Sequence, residues 1–337
     1  MFAKKTEAPT PLSGIDVLLA DLDGVVYRGA NALPYAVDSL NRAAESMRVG
    51  YITNNASRTD ASVAAHLTDL GLRVAPEDVV TSPQAAVRLL AEQVPAGSRI
   101  LVVGGEGLRD EVRKAGFAIV SSAEDEPAAV IQGFSAELGW KDLAEASFAL
   151  AGGDDGIPWV ATNTDWTIPV ERGIAPGNGT LVSAVHSAVG RLPLVAGKPE
   201  VAIFREAQSR FDAGSALFIG DRLDTDILGA NRAGIASLMV LTGVDKAKQL
   251  LAAGEESRPR FILSDLRGLH DPYPQQTTGR DGRVTVGEAS VRVRGRDVEI
   301  VRDGGGGIDL LRAACAAIWQ SDTPIYALDV PERLYAG

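Results

Sequence analysis

The stretch IDVLLADLDGVVYRG, residues 15–29, ends an apolar run in two aspartates one residue apart, followed at once by a glycine. The run from Ile15 to Ala20 has the length and character of a buried parallel strand, and it follows the small residues Ser13 and Gly14. If the extended conformation continues, the two-residue period of a strand sends Asp21 and Asp23 to one side, just beyond the carboxyl edge of a sheet. That edge is where open α/β sheets bind ligands. Two like charges so close resist joint ionisation, so the pair implies a hard divalent cation between them or a raised pKa on one partner. Gly24 permits a sharp turn and a close approach of its N–H to an anion. The plainer reading, in which both aspartates cap the turn after the strand, stays open on this stretch alone.

The 337 residues suffice for two or three domains, and 45% hydrophobic with 23% charged residues is the composition of an ordinary globular protein. A net charge of −11 argues against nucleic acid or an acidic membrane surface as partner, because both are bound mainly through Lys and Arg. The single cysteine, Cys315, allows no internal disulfide and lies in an apolar helical setting, which reads as packing. The start MFAKKTEAPTPLSG has no apolar segment of export length, and no run approaches a membrane span, so a cytoplasmic protein is expected. His66, His186 and His270 fall at no motif, and nothing clusters as a zinc site.

Apolar runs alternate with amphipathic, alanine-rich segments, the pattern of βαβ units around a mainly parallel sheet. VGYIT, EDVVTS, RILVVGG, AAVIQGF, PWVATN, LPLVAGKP, SALFIGD, IASLMVLTG and RFIL read as strand regions. Helices are expected between them, including residues 34–47 and 224–233. Residues 271–283 are rich in proline, glycine and polar side chains and read as a linker. Beyond it the alternation of residues 283–303 suggests antiparallel hairpins, and IDLLRAACAAIWQ an apolar-striped helix. A tail of this size is small for a domain folding alone, so it is expected to pack on the main body or on a second subunit.

Three further polar groups sit at the ends of apolar runs. Thr53 and Asn54 offer a hydroxyl and an amide to phosphate oxygens, Lys198 stands between Gly197 and Pro199, and Asp221, Asp224 and Asp226 follow SALFIG. Capping accounts comfortably for one or two of those acids, less so for all three together with Asp21 and Asp23. In chain order the set reads DxDG, TNN, GKP, GDxxxTD, and it resembles the haloacid dehalogenase superfamily.

The resemblance implies an α/β, Rossmann-like core with an inserted α/β cap: residues 1–82 and 193–272 as core, 83–192 as cap, and 273–337 as linker and tail. It implies Asp21 as nucleophile, forming an aspartyl-phosphate, and Asp23 as the acid and then base. Mg²⁺ would be held by Asp21, the Asp23 carbonyl and Asp221, with Asp226 orienting them. Gly24, Thr53, Asn54 and Lys198 would bind phosphate. Asp224 has no role beyond a helix cap in this scheme, and aspartate rather than threonine at position 23 favours a phosphatase or mutase over an ATP-driven pump.

The segments VVTSPQAA, ATNTDWTIPVERG and APGNGTLVSAV resemble a subgroup of phosphoglycolate, glycerol-3-phosphate, pyridoxal-phosphate and nitrophenyl-phosphate phosphatases. Its substrate loop corresponds to residues 163–169, which makes Asn163, Asp165 and Trp166 specificity candidates. The expected reaction is hydrolysis of a small phosphorylated metabolite, glycerol 3-phosphate first, the other substrates being alternatives. The tail resembles a fragment of a GCN5-type acetyltransferase (GNAT) fold, as found in an actinobacterial type of glycerol-3-phosphate phosphatase, without the cofactor motif of an active acetyltransferase. A packing or dimerisation role is expected for it, with a homodimer through cap or tail left open. A regulatory protein carrying phosphate on Asp21 is the alternative outside enzymes.

Overall fold

The computed structural model describes residues 8–153, 156–170, 172–321 and 323–335; the start Met1–Glu7, read above for export signals, lies outside them. The chain divides into two compact units, Met1–Val49 with Gly214–Gly337, and Gly50–Ala213. Among the described residues no helix is long and apolar enough to cross a membrane.

In the first unit the strands Phe261–Leu263, Ala236–Val240, Ala216–Gly220 and Val17–Ala20 lie side by side in that order, all parallel. Val17–Ala20 is buried along its whole length, as a strand covered on both faces requires. Its register, Ala20 opposite Ile219, makes the two chains leave the sheet at neighbouring points, with Asp21 after one and Asp221 after the other.

Residues 224–233 do not form one regular helix. Leu223–Ile227 is a π-helical turn, and an α-helix follows only over Leu228–Arg232. The cause is local: Asp226 turns its carboxylate back to accept from the Asp221 and Arg222 N–H groups, at 3.0 and 3.2 Å. Single π-turns of this kind recur at functional sites.

The linker reading of residues 271–283 needs correction. Gln276–Thr278 is an edge strand, antiparallel to Val284–Val286, in a sheet completed by Ala289–Arg294 and Asp297–Arg302. Helix Ile308–Trp319 packs on this sheet, and the tail shares one apolar core with Leu223, Ile227, Met239, Leu250 and Ile262. The glycines at 304–307 all have φ between 65° and 81°, so the run meets a left-handed backbone path that other residues resist. Cys315 is fully buried, and burial pushes its thiol pKa up.

In the second unit, Arg48–Thr53, which begins in the first, pairs in parallel with Val79–Thr81. A five-stranded parallel sheet has the order Leu194–Val195, Trp159–Ala161, Ala129–Gln132, Arg99–Val103, Ala118–Val120. Helix Ser82–Ala91 starts at a capping box in which Thr81 and Gln84 bond each other's backbone N–H. Between Thr167–Val170 and Gly173–Pro176 the chain forms an antiparallel hairpin, and helix Asn178–Val189 follows.

Candidate active site

In the first unit Asp21, Asp221 and Asp226 are buried and each offers a carboxylate oxygen within 4.8 Å of the others. Ionised together at that spacing, each pair repels by about 3–4 kcal/mol at an effective dielectric of ~20. Such a group suits a hard divalent cation with oxygen ligands. Asp221 Oδ2 accepts from Val244 N–H at 2.6 Å, and the Asp221 carbonyl accepts from Asp245 N–H at 3.1 Å. Gly243 makes this approach possible, because a Cβ there would collide with the Asp221 carboxylate. Gly24 is constrained in the same way: its φ is 84° and a Cβ would lie 2.6 Å from Asp221 Cγ.

One expectation changes here, and one acid left without a ligand role stays outside the group. Gly24 does not hold its N–H ready for phosphate but donates it to the Tyr27 carbonyl at 2.9 Å. Asp224 stands apart from the acid group, its exposed carboxylate gripped by Arg222 at 2.8 and 3.0 Å. Burial raises the Asp224 pKa, yet the Arg222 bond and charge outweigh that and hold it below the usual carboxylate range. Asp23 follows the strand with an exposed side chain.

Residues 242–245 belong to this site and were not singled out in the sequence. Thr242 Oγ1 donates to the Gly24 carbonyl at 2.6 Å, and Arg28 donates to the Thr242 carbonyl. Asp245 accepts from Leu223 N–H at 2.7 Å; burial, helped by the charges of Asp224 and Asp226, raises its pKa against that bond. The available signal is LTGVD, a glycine and an aspartate within a few residues of the end of an apolar run, as in the DLDG stretch.

In the second unit the structure gathers Thr53, Asn54, Asn163, Asp165 and Lys198. Thr53 and Lys198 are each 4% exposed, and Thr53 Oγ1 accepts from Asn55 N–H at 3.1 Å. The Asn54 side chain bonds the Lys198 main chain and the Asp165 carboxylate, so it is not presented to a ligand as expected. Asn163 is buried, donates to the Asn54 carbonyl at 2.8 Å and accepts from Asp165 N–H at 3.1 Å. Trp166 is 66% exposed, its carbonyl bonded by Gly177 N–H and Thr180 Oγ1. Of the histidines, His186 Nδ1 lies 2.9 Å from the Arg191 carbonyl and His270 Nε2 2.9 Å from the Ser39 carbonyl.

Residues 18–118 match the model of the haloacid dehalogenase-like hydrolases, and residues 195–269 match a second haloacid dehalogenase hydrolase-like model. The D-glycerol 3-phosphate phosphatase of Mycobacterium tuberculosis is 46% identical over 91% of this chain and 86% of its own length. The chicken glycerol-3-phosphate phosphatase is 38% identical over 74% of this chain and 86% of its own. Among solved structures, the M. tuberculosis glycerol phosphate phosphatase in complex with magnesium superposes with a TM-score of 0.82 at 43% identity, covering 96% of both chains. The p-nitrophenyl phosphatase of Archaeoglobus fulgidus gives 0.69 at 27% identity over 76% of this chain and 98% of its own.

Proposed function

The chain belongs to the haloacid dehalogenase-like hydrolases, and from that premise we propose that it is a Mg²⁺-dependent phosphatase of small phosphomonoesters, glycerol 3-phosphate foremost. The observation that carries this reading is the group of three buried carboxylates, with Asp21 and Asp221 each immediately after its strand and Asp226 in the turn that follows.

Asp21 attacks phosphorus, forming the aspartyl-phosphate as the bond to the leaving oxygen breaks. Asp23, exposed and two residues on, gives its proton to that oxygen, so the alcohol leaves neutral. The carboxylate left on Asp23 then takes a proton from water, whose oxygen attacks phosphorus, releases phosphate and regenerates Asp21. Lys198, the Thr53 hydroxyl and the Asn54 backbone N–H hold the phosphate oxygens. The donor set of carboxylate oxygens fits Mg²⁺: Asp21, Asp221 and the main-chain carbonyl of Asp23 would hold the ion, and Asp226 fixes the backbone that carries Asp221. When bound, the ion neutralises the carboxylates and lets a phosphate dianion approach them.

The names of the M. tuberculosis and chicken relatives support glycerol 3-phosphate as substrate. A polar metabolite and a chain with one cysteine support a cytoplasmic site of action. A homodimer through the cap or the tail is part of this reading; burial of the tail's helix in its own core speaks for the cap.

The test is phosphate release from glycerol 3-phosphate, phosphoglycolate, pyridoxal phosphate and p-nitrophenyl phosphate, with Mg²⁺ and with chelator. Glycerol 3-phosphate is expected to lead by about tenfold in kcat/KM, the discrimination one or two pocket contacts supply. A flat profile sinks the substrate, and turnover that survives chelation sinks the metal.

A further inference from the structure

We propose that Asn54 is the positioning residue of the phosphate-binding half of the site, tying the Lys198 main chain and the 163–166 loop to one point, and that Asp165 serves this tie instead of gripping a substrate hydroxyl. The inference rests on the reading of Lys198 as a partner of the phosphate, and it reassigns both Asn54 and Asp165 within that reading.

Asn54 Oδ1 accepts from Lys198 N–H at 2.8 Å, and Asn54 Nδ2 donates to the Lys198 carbonyl at 3.1 Å. One amide thus satisfies both main-chain groups of the lysine. Its orientation is forced, since the reversed amide would set oxygen against the carbonyl and N–H against N–H. The remaining Nδ2 proton faces Asp165, at 3.2 and 3.3 Å from its two carboxylate oxygens.

The backbone of Asn54 is held as firmly. Its carbonyl accepts from Ser82 Oγ at 2.7 Å and from Asn163 Nδ2 at 2.8 Å. Asn163 Oδ1 accepts in turn from Asp165 N–H, so Asn54, Asn163 and Asp165 close a ring of hydrogen bonds. Gly197 records how tight the junction is: a Cβ there would lie 2.7 Å from Asn54 Oδ1 and 2.5 Å from the Thr162 carbonyl.

A lysine side chain is a charge on a flexible stem, and its reach depends on where the main chain starts. Fixing the N–H and C=O of Lys198 sets that start. Displacing it by an ångström is enough to cost on the order of a hundredfold in rate. A substrate contact and a tie therefore differ in a measurable way: the tie acts on every phosphomonoester alike, whereas a hydroxyl contact acts only on substrates that carry the hydroxyl.

The experiment uses the full chain with Mg²⁺ and two substrates, glycerol 3-phosphate and p-nitrophenyl phosphate, which has no hydroxyl on its leaving group. Asn54→Ala is expected to lower kcat for both by the same factor, between about ten- and a hundredfold, with KM changing less. Asp165→Ala gives a smaller loss, equal for the two substrates, and Asp165→Asn restores activity because an amide oxygen still accepts from Asn54 Nδ2.

Amide hydrogen exchange supplies a readout independent of turnover. Peptides covering 163–168 and 197–204 lose protection in Asn54→Ala, and the first also in Asp165→Ala, which carries the comparison if Asn54→Ala does not fold. Unchanged exchange in these variants overturns the tie whether or not the protein is a phosphatase. A selective loss on glycerol 3-phosphate in the Asp165 variants makes Asp165 a substrate contact and overturns the reassignment. A rise in KM alone for Asn54→Ala returns its side chain to phosphate binding. Wild-type protein that turns over neither substrate but shows the expected exchange refutes the phosphatase reading and leaves the tie standing.

Discussion

Asp21, Asp221 and Asp226 crowd three like charges into one buried corner of the first unit, whereas Asn54, Asn163 and Ser82 in the second meet through complementary amide, hydroxyl and carbonyl groups. The acids repel one another and gain from a cation; the amides satisfy one another as they stand. A region of the first kind trades folding stability for chemistry, and a region of the second kind holds geometry without an added ion. Perturbations of metal should therefore register in the first unit and leave the second unmoved.

The strongest way to sharpen the contrast is Asp21→Asn, which removes the nucleophile and one of the repelling charges together. Phosphate release should fall more than roughly a thousandfold while thermal stability without metal holds or rises. A variant that keeps even a tenth of the activity would place the nucleophile elsewhere. Gly243→Ala comes next: a Cβ pressed against the Asp221 carboxylate should weaken Mg²⁺ affinity by about 10–100-fold, read by titration calorimetry.

Metal itself tests the comparison directly. Mg²⁺ at a hundred times its Kd should add about 2.7 kcal/mol of stability. Hydrogen exchange should slow around residues 21–24 and 221–227 and stay the same at 163–168. Equal protection of both stretches would break the comparison. Smaller still, Gln132 is fully buried in the second unit's sheet with neither side-chain amide atom bonded. Gln132→Leu should therefore raise stability by about 1 kcal/mol, measured by denaturant unfolding.

The smallest effect is an absence. Burial holds the Cys315 thiol protonated above its usual range, so native protein should resist alkylation at pH 8 and take up one equivalent only when unfolded. Since the folded pKa is raised, this group's contribution to stability is complete below about pH 8.5, where the unfolded thiol begins to ionise, and declines above it.

The parts legible in the sequence are those whose chemistry is local. Asp21 follows an apolar run directly, as do Thr53 and Asp221, and βα alternation is written in each segment by itself. What escaped notice depends on segments that meet only after folding. Val244 reaches Asp221 across 23 residues and Asn54 reaches Lys198 across 144, and neither bond leaves a mark in its own stretch. The π-turn at Leu223–Ile227 was hidden because Asp226 looks like any acid in a first helical turn until its backbone partners are in place. Gln276–Thr278 carries no apolar signal at all, being an exposed edge strand held by pairing with Val284–Val286.

The tail leads to a consequence for the gene. Leu223 and Ile227, which flank Asp224 and Asp226, belong to the same apolar cluster as Val284, Val291, Leu310 and Ala314 of the last 65 residues. A stop codon after His270 would leave every motif encoded, yet the truncated product would expose the underside of the turn that carries Asp226. A segment that adds no atom to the proposed chemistry would then be retained by dependence: once the core had lost the polar cover it would need alone, the shorter reading frame could not be recovered by a single deletion.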